Sequence, residues 1–573
     1  MNAVTKHRGP DGTAVWKGEG VTLGHNRLAI IDPDPRSNQP MTSADGRYTI
    51  IFNGEIYNFK DIRKELAYPW RTESDTEVVL AGYAQWGTEI FNRLNGPYAL
   101  AIHDRDTGEV VLARDPMGIN SLYVAKVEGL PADRQGWAFS SEIKGILECG
   151  MTRVVDPEAF ALYFRTLYVP GPRTMFKGIE KVPPGTVGVI RSSILQKTAI
   201  TYKAKSEPLD WHDSKGLKEA VTSAVTRQLL SDRPLGIYLS GGIDSTAVLA
   251  SAMTARTSMD TFSVSFALGE GEEAAKFNAD ADIARRTAKH FGATHHDFIV
   301  RPEEAFGLLE ESAYYLDEPI GNATGAAQFA LSKLAREDVV VALTGDGGDE
   351  VFGGYPRYRL SRLMELYQSV MPFGLPGRLG KLNTKGLDKQ FALFHFQKDA
   401  ELAGLFKDMP KVAPFAHGAN LMEMDRSTWL VDEALLRTNK LSMAHALEPR
   451  PPLLDLELVA AAAGLPFDRQ VSYFDTKILL KRAFKDTLPE WVINQPKRGW
   501  FSPGAKWLRH PVFGDEVDRA LSRGYAPGTD ALFDWDGVTK ALEEHRSRRA
   551  YRAPALIALL MFQLWSKRFG PSV

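Results

Sequence analysis

The run Ser240-Gly241-Gly242-Ile243-Asp244-Ser245-Thr246 carries the sharpest chemical signal in the sequence. It follows an apolar run, Leu235-Gly236-Ile237-Tyr238-Leu239, and opens a helix predicted over 246–255. Small residues at a strand-to-helix turn let backbone N–H groups approach an anion, and the helix N-terminus adds a favourable dipole. The pattern GxxxxGK[ST] is absent, so this is not the lysine-bearing phosphate loop. An aspartate inside a phosphate cradle repels phosphate on its own, but it makes sense as a ligand of a Mg²⁺ that bridges the phosphates. A capped Gly-rich turn is the purely structural alternative. A second acidic loop, Thr344-Gly345-Asp346-Gly347-Gly348-Asp349-Glu350, follows the apolar run 339–343. In a parallel sheet the carboxyl ends of the strands share one edge, where ligands bind. Asp244 and Asp349 each stand just after such a strand, so they can meet at one hard cation completed by phosphate oxygens and water. Val264, in a strand predicted over 261–266, falls beside the adenine on that edge.

Elements of two kinds must hold these loops. From about 211 onward, strands at 234–239, 261–266 and 339–343 alternate with helices at 246–255 and 280–291, which predicts an α/β doubly wound parallel sheet. Beyond about 360 the pattern is mostly helical, ending in a helix over 553–569. Residues 1–190 instead carry short alternating apolar segments broken by Gly, Asp and Pro, such as Tyr48-Thr49-Ile50-Ile51-Phe52 and Tyr98-Ala99-Leu100-Ala101-Ile102. These predict an α+β sandwich of antiparallel sheets, with helices near 60–66 and 76–86. The stretch 191–210 is polar and loses the pattern, so it reads as the linker between a front domain (1–190) and a rear domain (211–573).

Composition narrows the class. A chain of 573 residues is too long for one core. Lys+Arg 69 against Asp+Glu 71, a formal net charge of -2, lacks the excess positive charge of a nucleic-acid surface. The longest apolar runs, 458–467 and 553–562, fall short of the ~20 residues needed to span a bilayer. No apolar signal core follows Met1, so the cytoplasm is the expected compartment. The partners expected are small molecules, with a homodimer left open. Cys149 is the single cysteine, which rules out an internal disulfide and reads as a small buried or semi-buried thiol.

With the motifs in place, the sequence resembles a known family. SGGIDST resembles the pyrophosphate loop of the ATP-pyrophosphatases, and LTGDGGDEVFGGYPRY (343–358) with MAHALEPRPPLLD (443–455), read as a helix, narrows the likeness to the asparagine synthetase group. HRGPDG (7–12), HNRLAIID (25–32), FNGEIYN (52–58), SDTEV (74–78), ARDPMGINSLY (113–123) and SSEIKGIL (140–147) are similar to its glutaminase domain, a class II amidotransferase of Ntn-hydrolase type. The resemblance implies ATP and Mg²⁺ as cofactors, and amide formation through an acyl-adenylate. It implies pyrophosphate binding by Ser240, Gly241, Gly242, Asp244 and Ser245, nucleotide contacts from Leu239, Val264, Thr344 and Gly345, and metal ligation by Asp244 and Asp349. Asp346 and Lys497 match catalytic positions at the adenylate, where a cation suits the growing negative charge. Glu448, as a catalytic residue, and Arg450 match acceptor-side positions; a buried ion pair is the competing reading of the two. Arg27, Asn53, Gly54, Glu55 and Asp75 match the glutamine pocket, with an Arg for the substrate carboxylate and acids for its ammonium.

Two departures qualify the resemblance. Relatives begin with a nucleophilic cysteine after which a first strand follows; here Met1 stands near the end of the family's first helix. Either Met1 is an internal methionine of a longer chain, or the protein takes ammonia directly, and the polypeptide as written is expected not to hydrolyse glutamine. On the acceptor side, Asp317-Glu318-Pro319 is followed by a segment without arginine up to Lys333. Aspartate as substrate is therefore what the family implies, with another carboxylic acid, or ring closure by the substrate's own amine, as the alternatives. His295 and His296 read as structural.

Overall fold

The computed structural model describes residues 1–128, 136–191, 194–268, 273–370, 418–499 and 502–573. In the front half a six-stranded antiparallel sheet carries, in spatial order, Ile194–Ala199, Thr186–Arg191, Val110–Arg114, Tyr98–Asp104, Tyr48–Gly54 and Met41–Thr42. Its period-2 pattern puts Leu100 and Ile102 against the helices Phe59–Lys64 and Asp75–Trp86. Ala99 and Ala101 face the other way, where Leu122, Val124 and Val182 of a second, three-stranded layer close over them. These are the stacked sheets the alternation predicts.

The edge strand Ile194–Ala199 lies inside the stretch read as a linker. It pairs antiparallel with Thr186–Arg191, and most of its side chains are exposed. An edge strand that packs little more than Leu195 against the core has no hydrophobic alternation to display, so the sequence pattern ends before the sheet does.

The rear half is built on a five-stranded parallel sheet ordered Thr294–Val300, Asp260–Phe266, Leu235–Tyr238, Val341–Leu343, Glu448–Arg450. The chain enters at Leu235–Tyr238, winds outward one way, then returns to wind the other way. The strand order therefore reverses beside this first strand, and the loop that leaves it lies at the switch point where such sheets bind ligands. Helices Ser214–Gln228 and Ile243–Ala252 cover one face, and Thr324–Asp338 covers the other.

One predicted element is corrected. Residues 443–455 are not a helix: the helix Leu436–Met443 stops, and Glu448–Arg450 becomes the last strand of the sheet. Pro449, Pro451 and Pro452 have no N–H to continue a helix, whereas an edge strand needs donors on one side only. Glu448 N–H donates to Val340 (2.9 Å) and Thr344 N–H to the carbonyl of Arg450 (2.8 Å). The mostly helical stretch predicted beyond 360 is seen at Pro356–Val370 and from Gly418 on; 371–417 lies outside the described residues. The closing helix Ala553–Phe569 buries Phe562 and Trp565 among Phe160, Phe164 and Phe176 of the front half, and the Tyr163 hydroxyl donates to the Ala558 carbonyl (2.7 Å). Among the described residues no helix is long and apolar enough to cross a membrane.

Candidate active site

A cavity of about 640 Å³ opens above the carboxyl edge of the parallel sheet. Leu239, Ser240, Asp244, Ser245, Val264, Thr344, Gly345, Asp346, Asp349 and Lys497 all line it, so most of the residues assigned to nucleotide and metal come together. Gly241 and Gly242 shape the loop behind them. Gly241 holds a positive φ of 74°, and a Cβ there would stand 2.8 Å from the backbone of Asp280 and Ala284. The Ser240 and Ser245 hydroxyls lie 3.1 Å apart, and the Ser245 hydroxyl accepts from Ser240 N–H (3.2 Å), which closes the loop on itself. The helix begins at Ile243, three residues earlier than predicted, so Asp244 stands in its first turn, at the positive end of the dipole.

Asp244 and Asp349 converge on one ammonium. Lys477 Nζ contacts Asp244 Oδ2 and lies 2.5 Å from Asp349 Oδ1, while Lys497 Nζ lies 2.6 Å from Asp349 Oδ2. Burial opposes charge on both acids. At Asp349 the two lysines outweigh it and hold the carboxyl well below its usual range. Asp244, with Asp349 beside it and Lys477 as its main counter-charge, is pushed up instead. Asp244 Oδ1 is buried without a hydrogen-bond partner, whereas Asp349 Oδ1 is taken by Lys477. An orphaned carboxylate oxygen beside a second carboxylate suits a hard divalent cation. Among the described residues no group of three or more His, Cys, Asp or Glu is placed to hold a metal, so phosphate and water would complete the shell. The glycines are part of this arrangement: a Cβ on Gly348 would stand 2.5 Å from Asp244 Oδ1.

Lys477 was not legible as a site residue. It stands alone in Asp475-Thr476-Lys477-Ile478, with a positive φ of 53°, and caps the helix Ile478–Ala483. The one signal for it is electrostatic, since two buried carboxylates with a single matched lysine leave negative charge uncompensated.

On the far side of the cavity stand Tyr355 and Arg357, at the end of the motif 343–358, and Gln328, Trp429, Glu433 and Arg437, which no motif marks. Arg437 Nε donates to Glu433 Oε1 (2.9 Å), and Arg357 pairs with Asp425 (2.7 Å). The Tyr355 hydroxyl donates to Glu350 (2.5 Å), whose carboxyl is pushed up to about 8 by burial and by the charge of Asp349. Burial also raises Asp346, whose Oδ2 accepts from the Thr344 hydroxyl (3.0 Å).

Glu448 and Arg450 do not line this cavity. Arg450 is fully buried, with its Nε donating to Glu448 Oε1 (2.7 Å), so the ion-pair reading describes its geometry. Glu448 lines a second cavity of about 390 Å³ in the front half, together with Arg27, Asn53, Gly54, Glu55 and Asp75. All five residues matched to a glutamine pocket therefore face one space. Arg27 spends donors on the carbonyls of Asp34 (2.9 Å) and Asp32 (2.5 Å) and on Asn38 Oδ1 (2.8 Å), which fixes the guanidinium in place. Asp75 accepts from Ile56 N–H (2.9 Å) but is still pushed up to about 7, chiefly by burial. His25, on the same wall, is lowered to about 4 by burial. Cys149 also lines this cavity and is half-buried, its thiol raised by desolvation. His295 bonds the Thr261 and Ser263 hydroxyls (3.0 and 3.1 Å) within the sheet, as a structural residue does.

A doubly wound sheet with a Gly-rich loop at its switch point, joined to a stacked-sheet amidotransferase domain, places the chain among the carbon–nitrogen ligases that form amides with ATP. Residues 216–567 match the asparagine synthase family, and residues 1–202 match the glutamine amidotransferase domain. The chain belongs to the asparagine synthase family. It is 31% identical to asparagine synthetase (glutamine-hydrolyzing) 1 of Bacillus subtilis over 100% of this chain and 94% of that one. Asparagine synthetase (glutamine-hydrolyzing) 3 of the same organism is 28% identical over 91% and 86% of the two chains. Amidase chry2 of Gibberella zeae is 25% identical over 98% and 93%.

Proposed function

We propose that the enzyme converts aspartate to asparagine through an acyl-adenylate, with AMP and pyrophosphate as co-products and glutamine or ammonia as nitrogen source. The observation that carries this reading is the meeting of Asp244, Asp349, Lys477 and Lys497 at the phosphate loop of a cavity large enough for a nucleotide. A carboxylate oxygen attacks the α-phosphorus of ATP, and the bond to pyrophosphate breaks. Ser240, Ser245 and the backbone of Gly241 and Gly242 receive the departing pyrophosphate. Lys497 steadies the negative charge that gathers on the α-phosphate, in a site where its ammonium is already fixed. A Mg²⁺ held by Asp244 and Asp349 would neutralise phosphate charge when bound. Ammonia then attacks the acyl carbon, the bond to AMP breaks, and Asp346, whose carboxylate burial makes more basic, takes the proton. The names of the Bacillus relatives support aspartate as the acceptor.

One observation favours a second reading, an acid other than aspartate. Among the described residues that line the cavity, the cations Lys497, Arg357 and Arg437 each face a carboxylate already: Asp349, Asp425 and Glu433. An acceptor with a second carboxylate has to compete for one of them, whereas an acid bearing an amine or a neutral group does not. Pyrophosphate release from ATP separates the two readings. It is measured with aspartate and with a panel of other acids, each with ammonium and with glutamine. Aspartate-dependent release supports asparagine synthesis; release with another acid and none with aspartate refutes it.

A further inference from the structure

The strand Glu448–Arg450 belongs to the rear sheet, yet its charged side chains serve the front cavity. Its place is fixed from behind by the hydrogen bond from Thr344 N–H to the Arg450 carbonyl (2.8 Å). From there Arg450 reaches forward. Its Nη1 donates to the carbonyls of Gln228 (2.9 Å) and Leu230 (2.5 Å), its Nε to Glu448, and its Nη2 lies 3.8 Å from Glu55 Oε1. The guanidinium also sits 5.6 Å from the ring centre of Tyr57. Glu448, Glu55 and Asp75 all line the cavity; Arg450 reaches the first two, and its charge acts on the third from farther off. Glu55 Oε2 and Arg450 Nη2 are both buried with no hydrogen-bond partner. Burial is the main force raising the Glu55 carboxyl, and the charges of Asp75 and Glu448 add to it. A compact cation with several N–H donors would relieve both the orphaned acceptor and the surplus of negative charge. The α-ammonium of an amino acid is such a group.

We propose that the rear half completes the amino-acid pocket: Glu448 is a third carboxylate for the substrate's α-ammonium, and Arg450 is a positioning residue that holds Glu448 and Glu55 toward it. The inference rests on reading the front cavity as a glutamine site, and it adds to that site a wall from the other half of the chain. It also gives Arg450 a reason to be buried at the seam, since its fork can hold two acids that a lysine could not bridge with the same geometry.

The test is calorimetric titration of the full chain with L-glutamine and with 4-carbamoylbutanoate, which has the same amide and carboxylate but no amine. The ratio of the two affinities reads the ammonium contacts alone and needs no turnover. The unaltered chain should prefer glutamine strongly, and Asp75→Asn should lose most of that preference. Glu448→Gln should cut the preference by about tenfold or more, the size of one charge-assisted hydrogen bond. Arg450→Lys should reduce it as well. If Glu448→Gln does not fold, Glu448→Asp, which keeps the charge but withdraws it, carries the same expectation. A parental preference in the Glu448 variants, together with its loss in Asp75→Asn, overturns the inference and leaves the glutamine reading standing. No preference in the unaltered chain overturns both. A general weakening of both ligands with the ratio unchanged means that Glu448 only supports the fold, which also overturns it.

Discussion

Asp244 and Asp349, each in the first turn of a helix that follows a different strand, meet on the same Lys477 ammonium. Lys477 is 2% exposed, so the three groups form a buried cluster in which positive charge stands where the nucleotide-bound metal is expected. A buried acid pair cannot face itself without a cation, and the lysine provides one before substrate arrives.

Replacing Lys477 by methionine keeps most of its volume and removes the charge. The two carboxylates then face each other uncompensated apart from Lys497, a loss on the order of 3–5 kcal/mol for a broken buried pair. The variant's melting temperature should fall, and millimolar Mg²⁺ should restore more of it than the same addition gives the parent. Thermal unfolding with and without Mg²⁺ reads both effects; a variant as stable as the parent without metal would show that the acids do not depend on this lysine.

Gly348 tests the packing of the same cluster. A Cβ 2.5 Å from Asp244 Oδ1 forces the carboxylate aside, and Gly348→Ala should lower pyrophosphate release by about a hundredfold. Overpacking of this kind costs about 1–3 kcal/mol of stability, small enough for the variant to stay folded. Retained activity would mean that Asp244 need not hold its observed position.

The front cavity yields a pH dependence. Asp75 has its carboxyl raised to about 7 in the folded chain, against an ordinary value near 3.8. The folded state thus binds its proton more tightly than the unfolded state. Its stabilising effect is complete below the ordinary value and is lost as pH rises through about 7. Asp75→Asn removes that dependence, so the variant should gain stability relative to the parent as pH is raised from 5 to 8. Glutamine supplies the missing cation, so its affinity for the parent should rise over the same interval. Unfolding scans at a series of pH values check the first expectation and glutamine titrations the second; a difference between variant and parent that does not change with pH contradicts the assignment.

The sequence revealed what local geometry dictates. Ser240 to Thr246 needs small residues, an acid and a helix start in one short run, so the loop announces itself, and Asp349 follows from the same logic one strand away. What depends on the distant return of the chain did not show. Lys477 comes from an irregular helix cap with no periodic signal. Glu448 and Arg450 were legible as a charged pair, but their strand was hidden because 443–455 read as one helix despite its prolines, and the half of the molecule they face is set by tertiary packing. Ile194–Ala199 escaped because an exposed edge strand has almost no core face to mark it.

The most direct test of the central claim is a double-mutant cycle on pyrophosphate release with Asp244→Asn and Asp349→Asn. Two ligands of one ion fail together, so each single variant should lose about a hundredfold or more, and the double variant should be little worse than either. Losses that multiply, or a single variant with near-parental activity, would contradict the shared site.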